Sequence, residues 1–141
     1  MIIAVDFDGT IVEHKFPKIG DEIPFALETL RKIQANPHHR LILWTMRTGK
    51  ELNEAVEYCR ERGVIFYAHN ENYPSEKLDS DTPRKVAADL YIDDRNIGGL
   101  PDWGAIYQMI KSGNPYQPYA NTEGYYPKSK KKGFFAKFFG K

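Results

Sequence analysis

The sequence predicts a three-layer α/β fold, a Rossmann-like parallel sheet with helices on both faces, and two observations predict it. Short, unbroken apolar runs, as found in strands buried on both faces, recur along the chain. Between them lie segments whose apolar residues keep helical spacing, and strands alternating with helices imply a parallel sheet.

The elements follow in order. Ile2–Val5 is a continuous apolar run that ends in acids and reads as a buried strand. Ile23, Ala26, Leu27, Leu30 and Ile33 predict a helix over roughly residues 22–35, with Pro24 tolerated in its first turn. Asn36-Pro37-His38-His39 is the turn after it, with no further ligands that would make the histidines a metal site. Leu41–Trp44 is a second strand, ending at Thr45. Leu52, Ala55, Val56 and Cys59 mark the next helix, and Gly63 stands where a helix C-terminus favours glycine. Val64–Ala68 reads as a third strand, and His69–Thr82 as a polar loop. A short helix near Pro83–Ala88 leads to a fourth strand at Leu90–Ile92, which ends in Asp93-Asp94. Trp103, Ile106, Tyr107 and Ile110 mark the last helix, closed by Gly113.

With 141 residues the chain fits one domain, expected over 1–113. A domain of this size buries about two-thirds of its unfolded surface, enough for one core without cross-links. Residues 114–127 read as an extended linker rich in Pro, Tyr and Gly. Residues 128–141 hold six lysines and no acid, a tail of +6. Taking those lysines from the 20 basic residues leaves 14 against 19 acids, so the body carries −5. Lysines beside Phe134, Phe135, Phe138 and Phe139 suit an anionic membrane surface or single-stranded nucleic acid, and also suit packing on the body or a neighbour. The lone Cys59 excludes an internal disulfide and fits a reducing, cytoplasmic setting; its helical stripe makes it core. The apolar run at the N-terminus is too short for a signal peptide or a transmembrane helix.

In such sheets ligands bind beyond the C-terminal strand ends. Three of the four expected strands end in a chemically capable residue: Asp6, Thr45 and Asp93. In Asp6-Phe7-Asp8-Gly9-Thr10, the carboxylates at i and i+2 face one side while Phe7 points into packing. One carboxylate can attack phosphorus, and the other can protonate the leaving oxygen and later deprotonate water. Gly9 permits a sharp turn, and the N–H groups after it can cradle phosphate oxygens. Thr45 can hold a phosphate oxygen, Met46 and Arg47 extend the same loop, and Lys85 can neutralise phosphate charge. Arg47 reads equally as a surface arginine. Asp93 and Asp94 would repel Asp6 and Asp8 without a cation, and Mg²⁺ resolves this. His69, Asn70 and Glu71 lie on the same edge, as connectors or substrate contacts.

An acid pair after the first strand, Thr after the second, Lys before the fourth and an acid pair after it resembles the haloacid dehalogenase-like superfamily, over residues 1–112. The resemblance implies a Mg²⁺-dependent phosphohydrolase acting through an aspartyl-phosphate. It implies Asp6 as nucleophile, Asp8 as general acid and base, and phosphate binding by Thr45 and Lys85; Gly9, Thr10, Met46 and Arg47 are further candidate phosphate contacts on the same loops. Metal binding falls to Asp6, Asp8 through its carbonyl and Asp93, with Asp94 as a ligand either directly or through water. The acid at position 8 favours the phosphatase subclass. Only Ile11–Arg40 and the Thr45–Lys85 stretch are available for inserted caps, so the chain looks capless. Capless members tend to take large phosphorylated substrates or use a neighbouring subunit as a lid, so a macromolecular substrate and a homo-oligomer are candidate partners, with small phosphate-bearing metabolites left open. The rival reading is a catalytically idle, phosphate-binding or scaffold module tethered by its tail. A phospho-accepting receiver domain is disfavoured by the spacing of Asp6 and Asp8 and by the late Asp93-Asp94.

Overall fold

Every second residue of the first strand looks the same way, and in this molecule the two sides of the sheet have different neighbours. The computed structural model describes residues 1–116. It contains β1 (Ile2–Val5), α1 (Ala26–Gln34), β2 (Arg40–Leu43), α2 (Gly49–Glu61), β3 (Ala68–His69), β4 (Leu90–Ile92) and α3 (Trp103–Lys111). The strands form one parallel sheet in the order β3-β2-β1-β4. Ile3 pairs with Leu41 and Leu90, and Val5 with Leu43 and Ile92, so the odd positions of β1 align with apolar residues on both sides.

Ile3, Val5, Leu41, Leu43 and Ile92 pack with Leu27 and Leu30 of α1, Ala55 and Cys59 of α2, and Trp103 and Ile106 of α3. All three helices therefore cover one face. The opposite face is a smaller cluster of Ala4, Ile42, Ala68 and Val86, flanked by Ile2, Trp44, Ala88 and Tyr91. The expected third layer is absent among the described residues: helices lie on one face, and the irregular segment between β3 and β4 roofs the other.

The helix expected near Pro83–Ala88 does not form. Its backbone groups bond to side chains instead: Ala87 N–H donates to Asn72 Oδ1 at 2.7 Å, and Val86 C=O accepts from the Tyr91 hydroxyl. A helix that short has little to offset its nucleation cost, while seating Val86 on the sheet buries it to 2% exposure. The third strand is also shorter than the Val64–Ala68 run. The Gln34 side chain accepts from Ile65 N–H and donates to Gly63 C=O, taking backbone groups that a neighbouring strand would have used. Val64 and Phe66 are still buried while Ile65 and Tyr67 are exposed, so the alternation of a strand persists. Helix α1 starts later than expected, because Pro24 precedes it and Phe25 holds a left-handed φ of 66°.

Among the described residues, no helix is long and apolar enough to cross a membrane. Of residues 114–127, expected as a linker, only Asn114–Tyr116 are described, and there the Tyr116 hydroxyl donates to Asp89 C=O; the rest lie outside the described residues. The tail expectation for 128–141 lies outside the described residues.

Candidate metal and phosphate site

The sheet carries β1 and β4 side by side, and the ladder continues one residue past them: Asp6 N–H donates to Ile92 C=O at 2.9 Å. This brings Asp6 next to the Asp93-Asp94 pair. One carboxylate oxygen from each of Asp6, Asp93 and Asp94 falls within 4.8 Å of the others. Burial pushes the Asp6 carboxyl up to about 7, opposed by a hydrogen bond from the Phe7 N–H and reinforced by the charges of Asp93, Asp94 and Asp8.

The chain after Asp6 must turn at once. Gly9 does so with a φ of +84°, and a Cβ there would stand 2.1 Å from His14 Nε2 and 2.4 Å from Asp94 Oδ2. The N–H groups of Thr10, Ile11 and Val12 all converge on Phe7 C=O, and Gly9 N–H donates to Val12 C=O at 2.6 Å. These groups were expected to cradle phosphate; here the turn itself consumes them. Thr10 is fully buried. Its hydroxyl accepts from Asp94 N–H at 3.1 Å and lies 3.4 Å from carboxylate oxygens of both Asp6 and Asp94. Trp103 Nε1 donates to Thr10 C=O at 3.1 Å, which ties α3 to the turn. Thr10 thus positions the acids, and the expected phosphate contact from it gives way to that role.

Asp8 lines the same cleft as Asp6, as its i+2 spacing predicts, but its carboxylate is engaged by Arg47. Nε and Nη2 of Arg47 donate to its two oxygens at 2.7 and 2.8 Å. The guanidinium also donates to the carbonyls of Pro17 and Lys18, at 3.0 and 2.8 Å. Arg47 is 1% exposed, so it is neither a surface arginine nor, as seen, a free phosphate ligand. The side chain of Asp8 stands apart from the three clustered acids, and only its carbonyl is left as the metal contact the sequence suggested.

Thr45 and Met46 line the cleft as expected. Thr45 Oγ1 accepts from Arg47 N–H at 3.2 Å. Asn70, beyond β3, accepts from Thr45 N–H at 2.8 Å and donates to Arg47 C=O at 3.0 Å, so it fastens the loop after β2 as a connector. Lys85 is not brought to the cleft. It is exposed, with its ammonium 4.6 Å from the ring centroid of Tyr91, which belongs to the helix-free face. Beside Arg47, which Asp8 engages, the cleft is lined by Arg95, whose N–H donates to Asp93 Oδ1 at 2.8 Å. Sequence reasoning also missed His14, which meets Asp94 at 3.0 Å, and Phe16 at the cleft wall. Neither carries a motif signal: both sit in a polar stretch between the first turn and α1.

Three neighbouring carboxylates form a hard, oxygen-only donor set, the chemistry that suits a hard divalent cation such as Mg²⁺, Ca²⁺ or Mn²⁺ rather than a softer ion. The cleft has a volume of about 530 Å³, within the range of small-molecule sites.

A solved structure of a conserved protein coded by a locus of Bacteroides thetaiotaomicron matches with a TM-score of 0.74 and 56% sequence identity, over 84% of this chain and 98% of that one. The chain belongs to that protein's family. At this identity the family shares the parallel sheet and its chain path, and nearly the whole of the Bacteroides chain is matched. No protein-family model and no curated protein matches the chain.

Proposed function

We propose that the protein is a Mg²⁺-dependent phosphomonoester hydrolase of the haloacid dehalogenase-like type, with Asp6 as its nucleophile. The convergence of Asp6, Asp93 and Asp94 at the C-terminal edge of β1 and β4 carries this reading. A carboxyl pushed up to about 7 by burial and by the charges of Asp93, Asp94 and Asp8 is unfavourable in its ionised form, and a divalent cation would relieve it. Bound there, Mg²⁺ would supply charge neutralisation for the cluster and for a phosphate.

The chain's own residues do the rest. A carboxylate oxygen of Asp6 attacks phosphorus, the bond to the leaving oxygen breaks, and an aspartyl-phosphate forms. Water then attacks phosphorus, releasing inorganic phosphate and restoring the Asp6 carboxylate. Asp8, which lines the cleft, would protonate the leaving oxygen and deprotonate the water. With both its oxygens on Arg47, one must be released first, so the buried ion pair gates the acid. Arg95 takes the charge-neutralising part first expected of Lys85. Only a loop and α1 lie between Ile11 and Arg40, and only α2, β3 and irregular chain between Thr45 and Lys85, which supports a capless enzyme.

The same Asp8–Arg47 pair favours a second reading, a divalent-cation and phosphate-binding module without turnover. One experiment separates them. Wild type and Asp6→Asn are assayed with Mg²⁺ on nucleoside, sugar, aryl and peptide phosphomonoesters. Turnover in wild type that vanishes in a folded Asp6→Asn supports the enzyme. Mg²⁺ binding with no turnover of any substrate supports the module.

A further inference from the structure

Phe16 is 64% exposed, which is unusual for a phenylalanine beside a carboxylate cluster. It is also held in place. The Arg47 guanidinium lies over its ring, 5.2 Å from the centroid. Arg47 itself is fixed by four hydrogen bonds and lies over the buried ring of Phe7 at 5.0 Å. Phe16 lines the cleft and is held against Arg47 while most of its surface stays open to solvent. Cation–π contact makes such a ring a fixed platform, and a preorganised platform binds a flat partner with little loss of side-chain freedom. Met46, 96% exposed, adds a polarisable apolar contact to the same cleft, and thioethers pack well against aromatic rings. Trp44 lines it too.

We propose that the cleft takes phosphomonoesters whose alcohol part carries a flat aromatic or heteroaromatic ring, and that Phe16 selects the ring by stacking, with Met46 as its second contact. The inference rests on the phosphohydrolase reading and names the substrate class of that site. With a divalent cation bound, the acidic cluster would address the phosphate, while the Phe16 platform addresses the other end of the molecule. A sugar phosphate or glycerol phosphate leaves that platform in water.

The test compares substrates that share a leaving group and differ in the ring. Adenosine monophosphate is set against ribose phosphate, both esterified at the same primary hydroxyl, and phenethyl phosphate against cyclohexylethyl phosphate. In wild type with Mg²⁺ the ringed member of at least one pair should show a KM lower by about tenfold. That preference should collapse in Phe16→Leu, which keeps an apolar side chain over Arg47, and return in Phe16→Tyr. Met46→Ala, a change at a side chain in solvent, should lower the preference without disturbing the seat of Arg47. Preference in the first pair alone identifies nucleoside phosphates as the source of the ring, and preference in the second identifies aryl groups at large. No preference in wild type, or a preference that survives Phe16→Leu, overturns the inference. If no compound is turned over, the hydrolase reading fails by itself, and calorimetric titration of the same four compounds with Mg²⁺ decides. Ring-dependent affinity lost in Phe16→Leu upholds the platform, and equal or absent binding overturns it.

Discussion

Arg47 holds Asp8 by both carboxylate oxygens while none of its own side chain reaches solvent. A guanidinium in that position cannot be left alone. Removing its partner strands a buried charge, which costs about 3–5 kcal/mol in buried pairs and falls at the lower end here, because Asp8 keeps 16% side-chain exposure. Asp8→Ala should therefore lower the free energy of urea unfolding by about 3 kcal/mol. Arg47→Lys, with one ammonium in place of the fork, should also destabilise and should loosen the loop after β2. Wild-type stability in both variants would show that the pair is incidental.

Asp6 makes the metal-free protein sensitive to pH. Its carboxyl titrates near 7 when folded and near the ordinary 3.8 when unfolded. Between those values the folded state holds the extra proton, so stability is full at acid pH and falls as pH rises toward 7. Thermal melting of metal-free protein should show this decline, and Mg²⁺ should restore stability at the neutral end. Asp6→Asn should flatten the profile, raise the neutral melting temperature and weaken Mg²⁺ binding. A variant that melts below wild type at neutral pH without metal would contradict the burial account.

Gly9→Ala places a Cβ at a φ of +84° and drives it into His14 and Asp94. The left-handed backbone alone costs roughly 1–2 kcal/mol. Because the collision falls on Asp94, Mg²⁺ affinity should fall as well as stability. Calorimetry and a melting curve on one sample read both, and a loss of stability with unchanged Mg²⁺ affinity would remove Asp94 from the metal set.

Burial pushes the Cys59 thiol up to about 12, so almost none of it is thiolate at neutral pH. Folded protein should resist alkylation by iodoacetamide, and urea should release labelling in step with unfolding. Rapid labelling of native protein would place Cys59 outside the core.

The strand ends were legible because they rest on period and polarity. β1 and β4 appear where apolar runs meet acids, and the Asp6, Asp93 and Asp94 cluster follows from their adjacency in the sheet. What escaped reading depends on partners distant in sequence. Nothing local says that Arg47 will turn inward to Asp8, 39 positions earlier, or that Asn70 will fasten Thr45. Lys85 was placed by its distance before a strand, but the segment carrying it follows Val86 onto the sheet, and the lysine goes with Tyr91 instead of the cleft. The one-sided helices were hidden for the same reason, since a buried strand reads alike whether a helix or an irregular chain covers it.

That irregular roof gives the molecule two grades of cohesion. On one side, Val86 and Ala88 meet the sheet beside Tyr91 of β4 without a helix behind them; on the other, three helices share a single apolar layer. Local opening follows the weaker grade, so the chain between Asn72 and Asp89 should exchange its amide protons and admit a protease well before α1, α2 or α3 does. Asp93 and Asp94 sit just downstream of that stretch, at the end of β4, and Asp89 still accepts from Ile2 N–H at 2.6 Å. A cut in the roof would thus leave the acidic cluster anchored through β4, and cation binding should outlast the nick.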